Sequence, residues 1–452
     1  MQAGGMQLRA VTSELSDAAA CALELARGAG AEGARVEAAH SESRAAMVRN
    51  RVPTERSFRL ASEITITVYR AGKRASTSSS DLSREGLAKA VRAALEITNV
   101  TAVDSAAGLA DALQLANTFP DLDSYHPLES TLDDMASYAQ RAECAAFAHD
   151  ASIQTSNGAS VQTVSGVSLL ATSVGFSGSA PWSAHSISCA PVASGVGEKQ
   201  IGFWSHSARA FDDLPRPEEI GVVAAERATS ALNARQIPTQ QCAVLFEPTA
   251  ALALLNEFVA ASSGDALYRT GSFLKDRLGA ALFPKHVRVR EDPFLKRAMG
   301  SRCFDSDGIP GSRRMVVKDG CLQGYFLGLY AARRLGVQPT GNGYGPHNLE
   351  VGSTLTANGD DFTGMLKKLS RGLVVTEMVG GGVNRLTGDF SRAAKGFWVE
   401  NGVIQFPVAG ITLASNLREM FSGLQAIGND TITRGSSTSG SWLIETMKVG
   451  GA

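Results

Sequence analysis

Apolar and polar residues alternate through residues 33–78, which predicts several short strands. Ala34–His40 is one. In Ile64-Thr-Ile-Thr-Val-Tyr69 the apolar and polar side chains take opposite faces. The repeat then lengthens to a helical one. Leu87, Val91 and Leu95 share a face behind Asp81 as N-cap. Leu132, Met135, Ala139, Ala142 and Ala146 form a second stripe behind Ser130-Thr-Leu-Asp133, which has the form of a capping box. A third helix begins at Pro217, with Glu218 and Glu219 behind it; proline suits a first turn and carboxylates suit its dipole. A fourth starts at Pro248, buries Leu252, Leu255 and Val259, and stops at Ser262-Ser-Gly264. Downstream, Lys318-Asp-Gly-Cys321 and Glu400-Asn-Gly-Val403 join apolar runs through the strongest short hairpin signals. Between them, Asp360–Arg371 reads as a helix with Phe362, Leu366 and Leu369 inward, closed by Gly372.

These elements predict an α+β protein in two halves. The N-terminal α/β half has a mixed or antiparallel sheet with helices, and the C-terminal half is strand- and hairpin-rich with a few helices. Asp212-Asp-Leu-Pro-Arg-Pro217 reads as a linker, giving an N-terminal domain over 1–215 and a C-terminal domain over 216–452. The stretch 151–197 within the first contains no Asp, Glu, Lys or Arg over 47 residues, yet holds 12 serines. That is too polar for a membrane span. It predicts strands with neutral faces, or a sheet facing a partner or substrate, since interface cores lose charge.

Composition narrows the function classes. With 43 Lys plus Arg against 44 Asp plus Glu, the chain has no overall basic footprint for nucleic acid. No apolar run is long enough to span a bilayer, and the N-terminus lacks a signal-peptide core. The six cysteines form no C-x-x-C pair, so neither a zinc knuckle nor a redox couple is signalled. An intracellular, soluble protein with reduced thiols is the expectation.

No motif taken alone completes a catalytic set. Gly175-Phe-Ser-Gly-Ser179 lacks the last glycine of a nucleophile elbow. Gly341-Asn-Gly-Tyr-Gly345 is followed by no helix, as a dinucleotide loop requires. Asp305-Ser-Asp-Gly308 lacks the downstream carboxylate of a calcium loop. No histidine is followed by glutamate, so a zincin helix is absent. His185 and His206 flank the charge-poor stretch, where a hydrogen-bonded structural role competes with a cavity-facing one.

A series of segments nevertheless resembles the TldD/PmbA family in order along nearly the whole chain. They are Ser76–Leu82, Asp121–Tyr125, Ser156–Ser160, Ser272–Asp276, Phe304–Pro310, Tyr330–Gly336 and Gly382–Gly402. The resemblance implies cytoplasmic metallopeptidases assembled from two related subunits around a shared chamber. One subunit carries H-E-x-x-x-H on a helix and a C-terminal cysteine that together hold zinc. The other, TldE or PmbA, lacks those ligands.

The helix that matches here is Leu254–Ala261. Asn256 stands at the first histidine, Glu257 keeps the glutamate, and Ala261 stands at the second histidine. An amide oxygen is a poor substitute for imidazole on zinc, and alanine offers no donor. The last cysteine is Cys321, so the C-terminal thiolate is missing too. The runs Asn429–Gly435 and Ser441–Ile444 are likewise similar to the TldE side. The resemblance thus implies a subunit with no cofactor of its own, zinc being held by a TldD-like partner, and a substrate that is an unfolded peptide or peptide-like molecule. No nucleic acid or membrane is implied, and Glu257 inherits no catalytic role. Candidate chamber residues are Gly380, Gly381 and Gly382, where a peptide backbone could approach closely, with Asn384 and Asp389 offering polar groups beside them. The alternative for this stretch is a tight, internally bonded loop. Two other functions stay open: a homo-oligomeric binding scaffold, and an independent tailoring enzyme using Glu257 or His185.

Overall fold

The computed structural model describes residues 2–451. Helix α1 (Gln2–Gly28) leads into a hairpin of two long strands, β1 (Gly33–Arg49) and β2 (Val52–Arg70), followed by β3 (Lys73–Ser79) and α2 (Arg84–Val100). The short strands expected here are instead 17 and 19 residues long, joined at Asn50-Arg51, both with positive φ. After an irregular segment come α3 (Leu132–His149), the β4 (Ile153–Thr172) and β5 (Ser177–Ser194) hairpin, β6 (Lys199–Ile201), β7 (Trp204–Ala208) and α4 (Pro217–Ser230). The sheet order is β3-β2-β1-β4-β5-β6, with β7 also on β5, and every pairing is antiparallel.

All four helices pack on one face of this sheet. Val36 and Ala38 of β1 pack under α1 and α2, while Ala46 and Val48, of the same parity, pack with α3 and α4. Alanines at 18, 19, 22 and 26 let α1 lie close to the strands. The opposite face of the charge-free β4–β5 hairpin carries small neutral groups, such as Ser160 and Ser188, whose hydroxyls bond at 2.9 Å. Helix caps fall close to the expected places. Ser83, not Asp81, caps α2, accepting from Gly86 N at 3.1 Å while Asp81 accepts from Ser83 N. Thr131, one residue past Ser130, forms a capping box with Asp134.

The C-terminal half starts with β8 (Gln240–Phe246) and α5 (Pro248–Ala261). It continues through β9 (Val287–Asp292), β10 (Arg314–Lys318), β11 (Cys321–Leu322), α6 (Leu329–Leu335), β12 (Asn348–Ser353), α7 (Phe362–Leu369), β13 (Gly372–Val379), β14 (Asp389–Glu400) and β15 (Val403–Asn416). Helix α8 (Leu417–Ser422) and strands β16 (Leu424–Ile427), β17 (Ile432–Arg434), β18 (Ser437–Ser439) and β19 (Trp442–Gly450) complete it. Strands β15, β14, β13, β8 and β19 close into a ring, because β19 pairs back onto β15. A second six-stranded sheet runs β11-β10-β9-β12-β18-β17. The main core lies between these sheets and α5. Val244 and Phe246 point into it, and the intervening Leu245 packs against α7. Both expected hairpins form, at Lys318–Cys321 and Glu400–Val403. The cap after α7 is Ser370, and Gly372 already opens β13.

Several segments of the family resemblance meet at the junction of the halves. Arg297 donates to Asp123 at 2.6 Å, Tyr330 to Asp104 at 2.6 Å, and Arg35 to Asp307 at 2.8 Å. Asp305 is wholly buried there and accepts from the backbone of Asp307, Ile309 and Gly343 at 2.9–3.0 Å. Burial, reinforced by the Asp307 carboxylate, pushes its carboxyl up from 3.8 to about 6. A raised folded-state value means that stability from this group is complete below 3.8 and lost as pH rises through about 6. Relative to Asp305→Asn, the native protein should therefore gain about 2 kcal/mol between about pH 7 and about pH 4. Denaturant midpoints at both pH values check this; a constant difference contradicts it.

Candidate functional site

Helix α5 is apolar along most of its length, with Glu257 as its single charged residue. Proline at its first turn and the Glu247 backbone before it set the start. Leu252, Leu255, Phe258 and Ala261 are buried, and Phe258 meets Phe283, Phe326 and Phe421 edge-on at 5.7–6.5 Å. Asn256 is exposed. Glu257 is not: its side chain is 7% exposed, and a carboxylate so placed needs charge partners.

Two arginines from a distant part of the chain supply them. Arg385 donates through Nε and a terminal nitrogen to one carboxylate oxygen at 3.2 and 3.0 Å, and Arg392 donates to the other at 2.5 Å. Arg385 lies in the loop between β13 and β14, and Arg392 in β14. The same loop contains the glycine run. The helix that matches the metal motif and the Gly380–Asp389 loop are therefore parts of one site, locked by a carboxylate between two guanidiniums. A third segment completes it. Ser272 donates to the carbonyl of Ala261 at 2.6 Å, and Phe273 N donates to the carbonyl of Arg385 at 2.9 Å.

Within the loop the glycines differ. A Cβ on Gly382 would sit 1.8 Å from the Ser391 carbonyl oxygen, so only glycine fits. Gly380 and Gly381 have open space around them. Asn384 accepts from Leu386 N at 3.0 Å, and its backbone pairs with Asp389 and Gly388. Asp389 accepts from Thr387 at 2.6 Å and Asn416 at 3.2 Å, bonds that hold its carboxyl below the usual range. Both polar side chains thus shape the loop while the glycine backbone stays open.

The residues at the metal-motif positions do not fit zinc. Asn256 points to solvent, Ala261 is buried with no donor atom, and Glu257 is already neutralised. Cys321 lies in the β10–β11 hairpin. Among the described residues, no three His, Cys, Asp or Glu side chains are grouped to hold a metal. His185 lies elsewhere, buried on the helix-covered face of the first sheet; it contacts the His126 carbonyl at 2.8 Å and the edge of Phe211. Burial lowers its pKa.

Sequence reasoning missed Arg385 and Arg392. They are 128 and 135 residues from Glu257, so no spacing rule joins them. The available signal was the lone glutamate inside Leu-Leu-Asn-Glu-Phe-Val, which requires a cation when the helix is buried.

Comparison with known proteins gives a consistent picture. The descriptions PmbA/TldA metallopeptidase domain 1, central domain and C-terminal domain match residues 34–98, 125–232 and 239–451. Metalloprotease PmbA of Escherichia coli O157:H7 is 38% identical over 445 residues, covering 98% of each chain. A PmbA homolog of Haemophilus influenzae is 37% identical, also over 98% of each. A crystal structure from Bacteroides thetaiotaomicron, named for a proposed modulation of DNA gyrase, superimposes with a TM-score of 0.91 at 26% identity. It covers 97% of this chain and 99% of that one. TldE of Thermococcus kodakarensis shares the fold, with a TM-score of 0.83 at 16% identity over 95% and 99% of the two chains.

Proposed function

This chain belongs to the PmbA/TldD metallopeptidase family, and from that premise we propose that it is the TldE-like subunit of a two-component zinc peptidase. In this reading it holds no metal, and a TldD-like subunit bearing H-E-x-x-x-H supplies the zinc that activates water. The observation that carries the reading is the Glu257–Arg385–Arg392 lock. Where a catalytic subunit needs a glutamate free to serve a metal-bound water, this chain ties that glutamate to two permanent cations.

What this chain contributes is shape and hydrogen bonding. The lock fixes the Gly380–Asp389 loop over α5, and Gly380 and Gly381 present bare backbone on which an extended peptide could pair. The substrate is an unfolded peptide or peptide-like molecule, bound through its main chain. Among the described residues no helix is long and apolar enough to cross a membrane. The six cysteines are unpaired, and in this reading the protein works in a reducing compartment, the cytoplasm.

Gly381 gives a specific prediction. Because an added Cβ meets nothing within 4 Å, Gly381→Ala should leave the unfolding midpoint unchanged. It should lower peptide turnover by the assembled pair by tenfold or more. Unchanged turnover would remove the loop from the substrate path. The assembly itself is tested by affinity capture from native lysate with mass-spectrometric identification. A stoichiometric partner carrying H-E-x-x-x-H is expected; recovery of this chain alone would overturn the reading.

A further inference from the structure

Among the described residues, part of the N-terminal sheet's edge pairs with no other strand. Strand β3 pairs with β2 only from Ile64 onward, so Val52–Glu63 has β1 on one side and no strand on the other. Nine consecutive residues here, Val52–Leu60, are exposed, including Phe58 at 56% and Leu60 at 57%. A long, exposed edge with apolar side chains is a template for another strand.

The charges on this strand say what fits it. We propose that it pairs antiparallel, about a two-fold axis, with the same strand of a second copy of this chain, centred on Ser57. In an antiparallel pair, residues whose N–H and C=O point outward must face one another, so only every second register is allowed. Centred on Ser57, Glu55 lies opposite Arg59 of the second copy twice, and Arg56 lies opposite Phe58 twice. Centring on Arg56 or Arg59 instead sets guanidinium against guanidinium. Centring on Phe58 leaves Glu55 opposite alanine and Arg59 opposite serine. Centring on Ala61 sets Arg59 opposite Glu63, but it also brings Phe58 opposite Ile64, where β3 already pairs. The Ser57 register alone places opposite charges across the seam without meeting β3. Arg56 and Arg59 would protect a lone edge, but against Glu55 and Phe58 they select the partner. Arg44 already lies 5.7 Å over the Phe58 ring, and Arg56 bonds Asp133 of α3 at 2.7 Å, both on the helix-covered face, while the Glu55–Arg59 pairs would lie on the other. Two seven-stranded sheets would then join into one. The edge lies in the other half of the chain from the Glu257 lock, so the pairing stands or falls independently of the metal-free reading.

The test is cross-linking across the axis. Ser57 would face Ser57 at a Cα separation of about 4.5–5.5 Å, within disulfide range. Under mild oxidation the full-length Ser57→Cys variant should form a covalent dimer. Thr54→Cys, at the bulge in β2 and roughly 20 Å from its own copy across the axis, should cross-link no faster than the native cysteines. Adding Arg59→Glu should slow the Ser57→Cys cross-link at least tenfold, and the charge swap Glu55→Arg with Arg59→Glu should restore it. Equal rates for the two cysteine positions, or no recovery on the swap, would overturn the proposal. So would a cross-link that forms only when a metal-bearing subunit is added.

Discussion

Glu257→Ala is expected to destabilise the protein by about 3 kcal/mol, toward the low end for breaking a buried ion pair. The loss comes from the arginines left behind. Arg392 is 17% exposed and would keep its charge without a partner; Arg385 is 47% exposed and recovers water more easily. The effect should therefore couple to Arg392 more than to Arg385. In double-mutant cycles with Arg392→Met and Arg385→Met, the coupling energy should be larger for Arg392. Equal and negligible couplings would mean that the carboxylate does not hold the loop. Restoring the metal motif with Asn256→His and Ala261→His should not create zinc affinity while both arginines remain.

Phe258→Ala, the next residue along the helix, is expected to cost about 4 kcal/mol by a different route. Its ring is fully buried among three other phenylalanines, and no polar group is exposed by its loss. What remains is a cavity between α5 and the C-terminal sheets. Because the cavity is apolar, Phe258→Leu should recover most of the stability, whereas Glu257→Gln should recover little of the charge pairing. Thermal and denaturant unfolding of the four variants checks both statements. Comparable losses for Phe258→Ala and Phe258→Leu would place the ring outside the packed core.

These two neighbours also show what could be read in advance. The inward face of α5 was legible in part, because Leu252 and Leu255 repeat at helical spacing and Pro248 and Ser262 bracket it; Val259, expected beside them, is only half-buried, and Leu254 and Phe258 fill the core instead. Hairpins at Asp319-Gly320 and Asn401-Gly402 were legible because positive φ at the turn demands those residues. Helix α1 was not, since its buried face is largely alanine, which gives little hydrophobic contrast. The first strands looked short because the exposed stretch Val52–Leu60 lacks one-sided burial, and alternation is a signal only where one face is covered. The exact site architecture was out of reach for a simpler reason. Glu257 and the glycine loop were each noticed, but their contact runs through arginines fixed by tertiary packing.

The most direct test of the metal-free reading is zinc content and peptide hydrolysis, measured side by side. The samples are this chain alone, the H-E-x-x-x-H subunit alone and the two mixed. The account predicts no stoichiometric zinc and no turnover for this chain alone. In the mixture it predicts hydrolysis, with zinc stoichiometric to the other subunit. Stoichiometric zinc and peptide turnover by this chain alone, abolished by Glu257→Gln in a folded protein, would contradict it.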